Sequence, residues 1–263
     1  MASEEPVTVG IIGFGALASQ VMTALDTPAI RWVVLLREGS CATPPAPAKI
    51  VTAVDRLIAE RPQLVIEAAG QASVGAFVPT ILRAGIPVVV ASVGALAAEE
   101  TARAIHDARK LSGARLVIPS GAIGGLDYLA AVSALPDAKI SYRLRKPLAA
   151  WRDELAALGL SDTAEPVVLF EGSPAEAAKL YPKNTNAAFT AGIVAYPAEV
   201  SVAVIADPGL ASNVHEIEVS SAAGQALFRF ANAPSPGNPK TSAVTALSLA
   251  AVARDLLEKG RKP

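Results

Sequence analysis

The chain has 263 residues, 52% hydrophobic and 18% charged, which is enough for one large domain or two ordinary ones with a substantial core. Its net charge of −1 argues against nucleic acid or an anionic membrane surface as the main partner. The one cysteine, Cys41, excludes a disulfide within the chain and a cluster of thiolate metal ligands. We expect no metal site, no signal peptide and no membrane span, which together predict a cytoplasmic protein.

The start of the chain carries a glycine turn between a predicted strand and a predicted helix. An apolar run over residues 7–12 ends at Gly13, and a helix is predicted over 19–25. Gly13 permits a tight turn, Gly15 lets a pyrophosphate approach the backbone, and Ala18 lets the helix pack close to the strand. A purely structural turn is the alternative. The strand-turn-helix context favours a dinucleotide site with these contact residues: Gly13, Gly15, Ala16 and Leu17.

Strand-like and helix-like segments alternate through the first half of the chain. After the opening unit, strands are predicted over 30–36, 64–67, 87–91 and 115–118, and helices over 50–59, 73–83 and 97–111. This alternation predicts βαβ units and a Rossmann-type parallel sheet covered on both faces. Ligands of such sheets bind at the carboxyl ends of the strands, where Gly70, Gly94 and Ala122 lie here. Small residues suit a flat ribose and nicotinamide, although turns favour them in any case.

The pattern changes after about Gly125. Apolar and polar residues alternate over 139–145, which is typical of a half-solvated strand in an antiparallel or mixed sheet. Further strands are predicted over 167–170, 200–205, 214–219 and 226–230, and helices over 174–180, 186–194 and 241–257. We therefore expect a dinucleotide-binding domain over 1–124 and a smaller α+β mixed-sheet domain over 125–240 for substrate and dimerisation. The C-terminal helix, within 241–263, is expected to pack back on the first domain.

The end of the second predicted strand bears on the choice of cofactor. An acidic residue at this place hydrogen-bonds the ribose hydroxyls and selects NAD. Here Arg37 comes first and Glu38 second. Arg37 is able to hold a 2′-phosphate, or it is a solvated loop arginine. Both NAD and NADP therefore stay open.

The sequence has two histidines that differ in their surroundings. His106 lies in a polar helical segment beside Asp107 and is expected at the surface. His215 lies where a loop meets a strand in the second domain. Its titration range suits proton transfer, but its position alone favours a structural role over a catalytic one.

Two polar clusters precede predicted helices. In the first, Lys183 lies between residues that suit helix capping, Asn184 and Asn186. In the second, Lys240 lies beside Asn238, again ahead of a helix. Capping explains both clusters, and a carboxylate site that combines a cation with free backbone N–H groups is the alternative.

A series of motifs, spread over nearly the whole chain in a single order, resembles the L-aspartate dehydrogenase family. The motifs are G-F-G-A-L-A (13–18), A-S-V-G-A-L (91–96), P-S-G-A-I-G-G-L-D (119–127), R-K-P (145–147) with Trp151, E-G-S (171–173), Y-P-K-N-T-N (181–186), A-D-P (206–208) with N-V-H (213–215), and N-P-K-T-S (238–242). Thr185 departs from the pattern, which has a small apolar residue there. The resemblance implies a homodimer and NAD(P)-dependent oxidative deamination of L-aspartate, with a product that feeds NAD biosynthesis.

Site roles follow from the same resemblance. It implies that His215 is the active-site histidine, which manages protons while hydride leaves the substrate Cα, and that Ala122 and Asn186 contact NAD. The cations considered for the substrate carboxylates are Lys183, Lys240 and Arg145. The competing interpretations are another two-domain reductase, similar to homoserine dehydrogenase or dihydrodipicolinate reductase, and an NAD(H)-sensing protein without catalysis.

Overall fold

The computed structural model describes residues 6–25, 29–235 and 238–260, which divide into two compact units. Unit 1 takes its residues from Met1–Gly121 and Thr245–Pro263, and unit 2 is Ala122–Val244. The boundary after Gly121 lies close to the one expected after residue 124. Each unit has its own core, so each is described by itself.

Unit 1 is built on a six-stranded sheet whose strands all run parallel. The strands are β1 (Val7–Ile12), β2 (Ile30–Leu35), β3 (Lys49–Val51), β4 (Leu64–Glu67), β5 (Val88–Val90) and β6 (Leu116–Val117), in the spatial order β3-β2-β1-β4-β5-β6. The helices between them are α1 (Ala16–Ala24), α2 (Val54–Ala59), α3 (Gln71–Arg83) and α4 (Glu99–Ser112). Strands β1, β4 and β5 are buried along their whole length, as unbroken apolar runs require. The predicted Rossmann-type sheet is confirmed.

Unit 2 contains a five-stranded mixed sheet and a two-stranded ribbon. The strands are β7 (Lys139–Lys146), β8 (Val167–Gly172), β9 (Val200–Ala206), β10 (Asn213–Ser221), β11 (Gly224–Asn232), β12 (Pro234–Ser235) and β13 (Asn238–Ser242). Its helices are α5 (Leu126–Val132), α6 (Arg152–Ala157), α7 (Pro174–Leu180) and α8 (Asn186–Ala195). The five-stranded sheet has the order β11-β10-β7-β9-β8, and only β7 and β9 pair in parallel. The predicted second, mixed-sheet domain is confirmed.

The last helix, α9 (Val244–Gly260), groups with unit 1. Leu249, Ala250 and Ala253 of this helix join the apolar cluster that contains the β1 residues Val9 and Ile11. A second apolar cluster covers the opposite side of the sheet with residues of α3 and α4, so helices shield both faces.

Two predicted helices begin later than expected, because strand pairing takes up their first residues. The segment predicted to be helical from residue 50 begins as β3, where Ile50 pairs with Val34. The segment predicted from residue 241 begins as β13, where Ser242 pairs with Pro234. In both places tertiary pairing outweighs a local helical spacing.

Within the described ranges, no helix has the length and apolar character that crossing a membrane requires. The same residues contain no group of three or more His, Cys, Asp or Glu side chains arranged to hold a metal ion.

Candidate active site

The first turn of unit 1 requires glycine at position 13. Gly13 has a φ of +84°, which L side chains rarely adopt, and a Cβ built on it would lie 2.6 Å from the Cβ of Ala69. The turn after β1 therefore packs directly against the turn after β4. Any side chain at Gly13 would push these two turns apart.

Open space lies in front of two other glycines of unit 1. A Cβ built on Gly15, which precedes α1, or on Gly70, which precedes α3, meets nothing within 4 Å. Ala16 and Leu17 form the start of α1, where backbone N–H groups have no partner within the helix. Open glycines beside a helix N-terminus form a cradle that a side chain would fill, and this fits the pyrophosphate of a dinucleotide.

A buried carboxylate, Glu67, ties the turns after β4 and β5 together. Its Oε1 accepts hydrogen bonds from the backbone N–H groups of Ala69 and Gly70, both at 2.8 Å, and from the Ser73 hydroxyl at 2.9 Å. Its Oε2 accepts from the backbone N–H of Ser92 at 2.9 Å. Glu67 is not among the predicted site residues, although an acidic residue that ends a buried apolar strand is a signal of such a role. Glu67 thus fixes the backbone beside the glycine cradle.

The remaining cofactor residues predicted in unit 1 lie at the ends of β2 and β5. Gly94 is buried in a 3₁₀ turn, Val93–Ala97. Arg37 and Glu38 follow β2, and both side chains are exposed. Arg37 is therefore accessible to a ligand at this end of the sheet, with Glu38 next to it.

In unit 2, His215 and Tyr142 form a buried pair on adjacent strands. The pairing of β10 with β7 puts His215 opposite Leu144, and the Tyr142 hydroxyl lies 2.6 Å from His215 Nδ1. Among the hydrogen bonds of the described residues, none reaches His215 Nε2. Nε2 is therefore the ring nitrogen left for a ligand.

Burial keeps both members of this pair uncharged. It lowers the pKa of His215 to about 3, and the nearby Lys146 charge contributes to the same shift. Burial also raises the pKa of Tyr142 above its usual range. At neutral pH the pair is a neutral imidazole bonded to a neutral phenol.

Lys146, part of the R-K-P motif but not a predicted site residue, lies on the same face of the sheet as His215. It follows Leu144 by two positions on β7, so the two side chains leave the same face. Lys146 is 2% exposed, and its Nζ donates a hydrogen bond to Asn184 Oδ1 at 2.8 Å. The same Nζ lies 5.8 Å from the centre of the Trp151 ring. A cation is therefore buried on the histidine side of unit 2.

Arg145, one of the cations predicted for the substrate, lies on the opposite face of this sheet. Its Nη2 is 2.6 Å from Asp207 Oδ2, and its Nη1 is 3.8 Å from Glu216 Oε2. Because side chains alternate along a strand, Arg145 points away from the face that carries His215 and Lys146. Its place and its two carboxylate partners argue against the predicted substrate role.

The other two cations predicted for the substrate carboxylates are Lys183 and Lys240. Lys183 is exposed in the segment between α7 and α8. Lys240 belongs to β13, and its side chain lies outside the described part of the structure. His106 is exposed on α4, as expected.

The two positions that the resemblance linked to NAD, Ala122 and Asn186, both fall in unit 2. The Ala122 carbonyl accepts a hydrogen bond from Asn232 Nδ2 at 2.8 Å. Asn186 is the first residue of α8, and its carbonyl accepts from the Thr190 hydroxyl. The predicted capping by Asn184 or Asn186 is wrong, because Thr185 precedes the helix and no side chain caps it.

Comparisons with known proteins cover both units. A family model described as Aspartate dehydrogenase, C-terminal, matches residues 127–256, and one described as Homoserine dehydrogenase, NAD binding domain, matches residues 13–119. L-aspartate dehydrogenase 2 of Bordetella bronchiseptica is 41% identical over 254 residues, which cover 94% of this chain and 95% of that protein. This chain belongs to the L-aspartate dehydrogenase family.

Solved structures agree with membership of the L-aspartate dehydrogenase family. The aspartate dehydrogenase of Thermotoga maritima is 27% identical, covers 98% of each chain and has a TM-score of 0.73. A dihydrodipicolinate reductase from Paenisporosarcina, at 11% identity and a TM-score of 0.51 over 94% of this chain, shares the fold alone. The family resemblance is confirmed, and the protein is an NAD(P)-dependent oxidoreductase.

Proposed function

We propose that this member of the L-aspartate dehydrogenase family oxidises L-aspartate to iminoaspartate with NAD⁺ or NADP⁺, and that water then releases oxaloacetate and ammonia. The observation that carries the proposal is the buried, neutral Tyr142–His215 pair in a chain whose unit 1 has an open glycine cradle. Its nearest rival is a two-domain reductase for another substrate, and its rival from a different class is an NAD(H) sensor.

Different residues are proposed to contact different parts of the dinucleotide. The turn after β1 and the start of α1 suit the pyrophosphate, and Arg37 suits the adenosine ribose and its 2′ substituent. The positions proposed for the remainder are Gly70, Gly94, Ala122 and Asn186. When bound, the oxidised cofactor supplies the acceptor for the hydride that leaves the substrate Cα.

His215 is proposed to manage the protons of the reaction. The substrate ammonium must lose one proton before its nitrogen can share a lone pair with Cα, and neutral His215 Nε2 is able to accept it. In that form Nδ1–H donates to the Tyr142 oxygen. Once protonated, His215 is able to return that proton from Nε2 during hydrolysis of the imine, while Nδ1–H keeps its hydrogen bond to the Tyr142 oxygen.

Two substitutions test these roles. His215→Asn removes the proton acceptor, and we expect kcat to fall by roughly 10²- to 10⁴-fold while NADH binding is kept. Tyr142→Phe removes only the hydrogen bond, so we expect a loss of about tenfold in kcat, equivalent to about 1.4 kcal/mol. Stopped-flow and steady-state assays with L-aspartate measure both. A His215→Asn enzyme that binds NADH and keeps near-normal kcat would exclude the catalytic role.

We also propose a homodimer that works in the cytoplasm and whose imine product enters NAD biosynthesis. Support for a dimer comes from the face of the unit 2 sheet that carries Arg145, opposite to the His215 face. On it, Leu227 is 67% and Val168 is 53% exposed. Exposed apolar side chains of this kind are common where subunits meet. Light scattering of the purified protein would distinguish a dimer from a monomer.

A further inference from the structure

Glu67, the last residue of β4, has a carboxyl group that is completely buried in unit 1. The residue is 0% exposed, and every partner that the described part of unit 1 gives its side chain is an uncharged N–H or O–H group. Removing a carboxylate from water costs free energy that a cation or a full set of hydrogen bonds must offset. An apolar side chain would end this buried strand at a lower cost, so the carboxyl group has a role in the contacts that it makes.

The two oxygens of this carboxyl group join the turns that follow β4 and β5. The pairing of β4 with β5 ends where Glu67 lies opposite Val90. Beyond that pair, Oε1 accepts hydrogen bonds from the backbone N–H groups of Ala69 and Gly70, and Oε2 accepts one from that of Ser92. The Glu67 side chain therefore sets the separation between the two turns.

These two turns lie on one side of the point where the strand order of the sheet reverses. The order β3-β2-β1-β4-β5-β6 places that point between β1 and β4. The turns after β1 and β2 carry Gly15 and Arg37, and the turns after β4 and β5 carry Gly70 and Gly94. A dinucleotide bound across the carboxyl ends of such a sheet has one mononucleotide half on each side of this point. With Gly15 and Arg37 proposed for the pyrophosphate and the adenosine, the nicotinamide half falls to the turns after β4 and β5.

We propose that Glu67 is a positioning residue for the nicotinamide half of the cofactor, an inference that rests on the proposed function. Because its side chain has no exposed surface, Glu67 acts through the backbone of the two turns and does not itself contact the cofactor. Holding both turns in place before binding means that less conformational freedom is lost when the nicotinamide and its ribose settle against them.

Glu67→Gln breaks this connection with little change in side-chain size. A glutamine has a single acceptor oxygen, so it is able to serve one turn only, and its NH₂ group then faces a backbone N–H of the other. Ser73→Ala is the second variant, since the Ser73 hydroxyl donates to Glu67 Oε1 at 2.9 Å and is only partly buried. Glu60→Gln is the matched control, because Glu60 bonds Arg31 and Lys49 at the amino ends of β2 and β3.

Two ligands separate the halves of the cofactor. NADH contains both halves and is titrated by fluorescence, whereas ADP contains the adenosine and two phosphates only and is titrated by calorimetry. We expect Glu67→Gln to raise the Kd of NADH about tenfold or more, because freed turns must be ordered again on binding, and to change the Kd of ADP by less than about twofold. Ser73→Ala should raise the Kd of NADH by roughly three- to tenfold, as for one lost hydrogen bond. Glu60→Gln should leave both Kd values unchanged.

A folded Glu67→Gln protein with wild-type NADH affinity would overturn the proposal. Equal losses of NADH and ADP affinity would also overturn it, because they would report general damage to unit 1, as would an equal loss of NADH affinity in Glu60→Gln. If Glu67→Gln does not fold, an unchanged NADH affinity in Ser73→Ala decides against the proposal. Both ligands are titrated without substrate, so a wild type that binds NADH but does not oxidise L-aspartate would defeat the proposed function and leave this test in place.

Discussion

The chemistry proposed for unit 2 depends on how burial sets the charge of single residues. His215 and Tyr142 are both buried, and each is held in its neutral form by the loss of solvation. His215 is therefore neutral, with a lone pair on one ring nitrogen, across the whole physiological range. The sequence placed His215 correctly at the start of a strand but gave no sign of its partner, which is 73 residues away.

The lowered pKa of His215 predicts how stability depends on pH. The unfolded chain binds a proton near pH 6.5, whereas the folded chain binds it only near pH 3, so acid favours the unfolded state. The free energy of unfolding should therefore fall as pH drops from 6.5 towards 3, by up to about 1.4 kcal/mol per pH unit for this one group. Urea denaturation between pH 4 and 7 measures it.

His215→Asn provides the control for that titration. The variant lacks the ionisable ring, so its unfolding free energy should vary less steeply with pH over the same interval. Equal slopes for the two proteins would show that His215 titrates normally in the folded state.

At the scale of elements, the β1–α1 turn contains one glycine that the backbone requires, Gly13, and one proposed to contact the cofactor, Gly15. Gly13→Ala should destabilise the protein by at least about 1 kcal/mol, because its φ is positive and Ala69 blocks the methyl group. Gly15→Ala should leave stability within about 0.5 kcal/mol, since its Cβ meets open space. It should weaken NADH binding by about tenfold or more, because the methyl group would occupy the space proposed for the pyrophosphate.

Thermal melts and NADH titrations of the two variants check this contrast. A Gly15→Ala protein that binds NADH normally would mean that the space in front of this residue does not receive the cofactor.

The sequence predicted elements best where local pattern and tertiary role agree. The glycine turn, the buried strands and the alternation along β7 follow from side-chain size and period alone. It failed at β3 and β13, where pairing partners decide the conformation. It also missed Lys146 and Glu67, because a lysine or glutamate closing a strand shows its partners only in three dimensions.

At the scale of the whole molecule, the chain leaves unit 1, forms unit 2 and returns with α9. The Ser248 hydroxyl on this helix accepts a hydrogen bond from the Gly121 backbone N–H at 3.0 Å, beside the point where unit 1 is left. The helix is therefore part of the unit 1 core, although it is the last element of the sequence.

Two leucines of α9 test that role. Leu249 is fully buried, so Leu249→Ala should lower the free energy of unfolding by about 2–5 kcal/mol. Leu247 is 59% exposed on the same helix, and Leu247→Ala should change the free energy of unfolding by less than about 0.5 kcal/mol. Denaturant titrations of both variants measure the difference, and equal losses would contradict the packing of α9.

The most direct test of the central claim is the initial rate of NADH or NADPH formation, followed by absorbance, when the purified protein meets L-aspartate. NAD⁺ and NADP⁺ are supplied in parallel, and homoserine serves as the competing substrate. The account predicts L-aspartate-dependent reduction of at least one cofactor, with little or none for homoserine. Cofactor binding without any aspartate-dependent reduction, or a faster rate with homoserine, would contradict it.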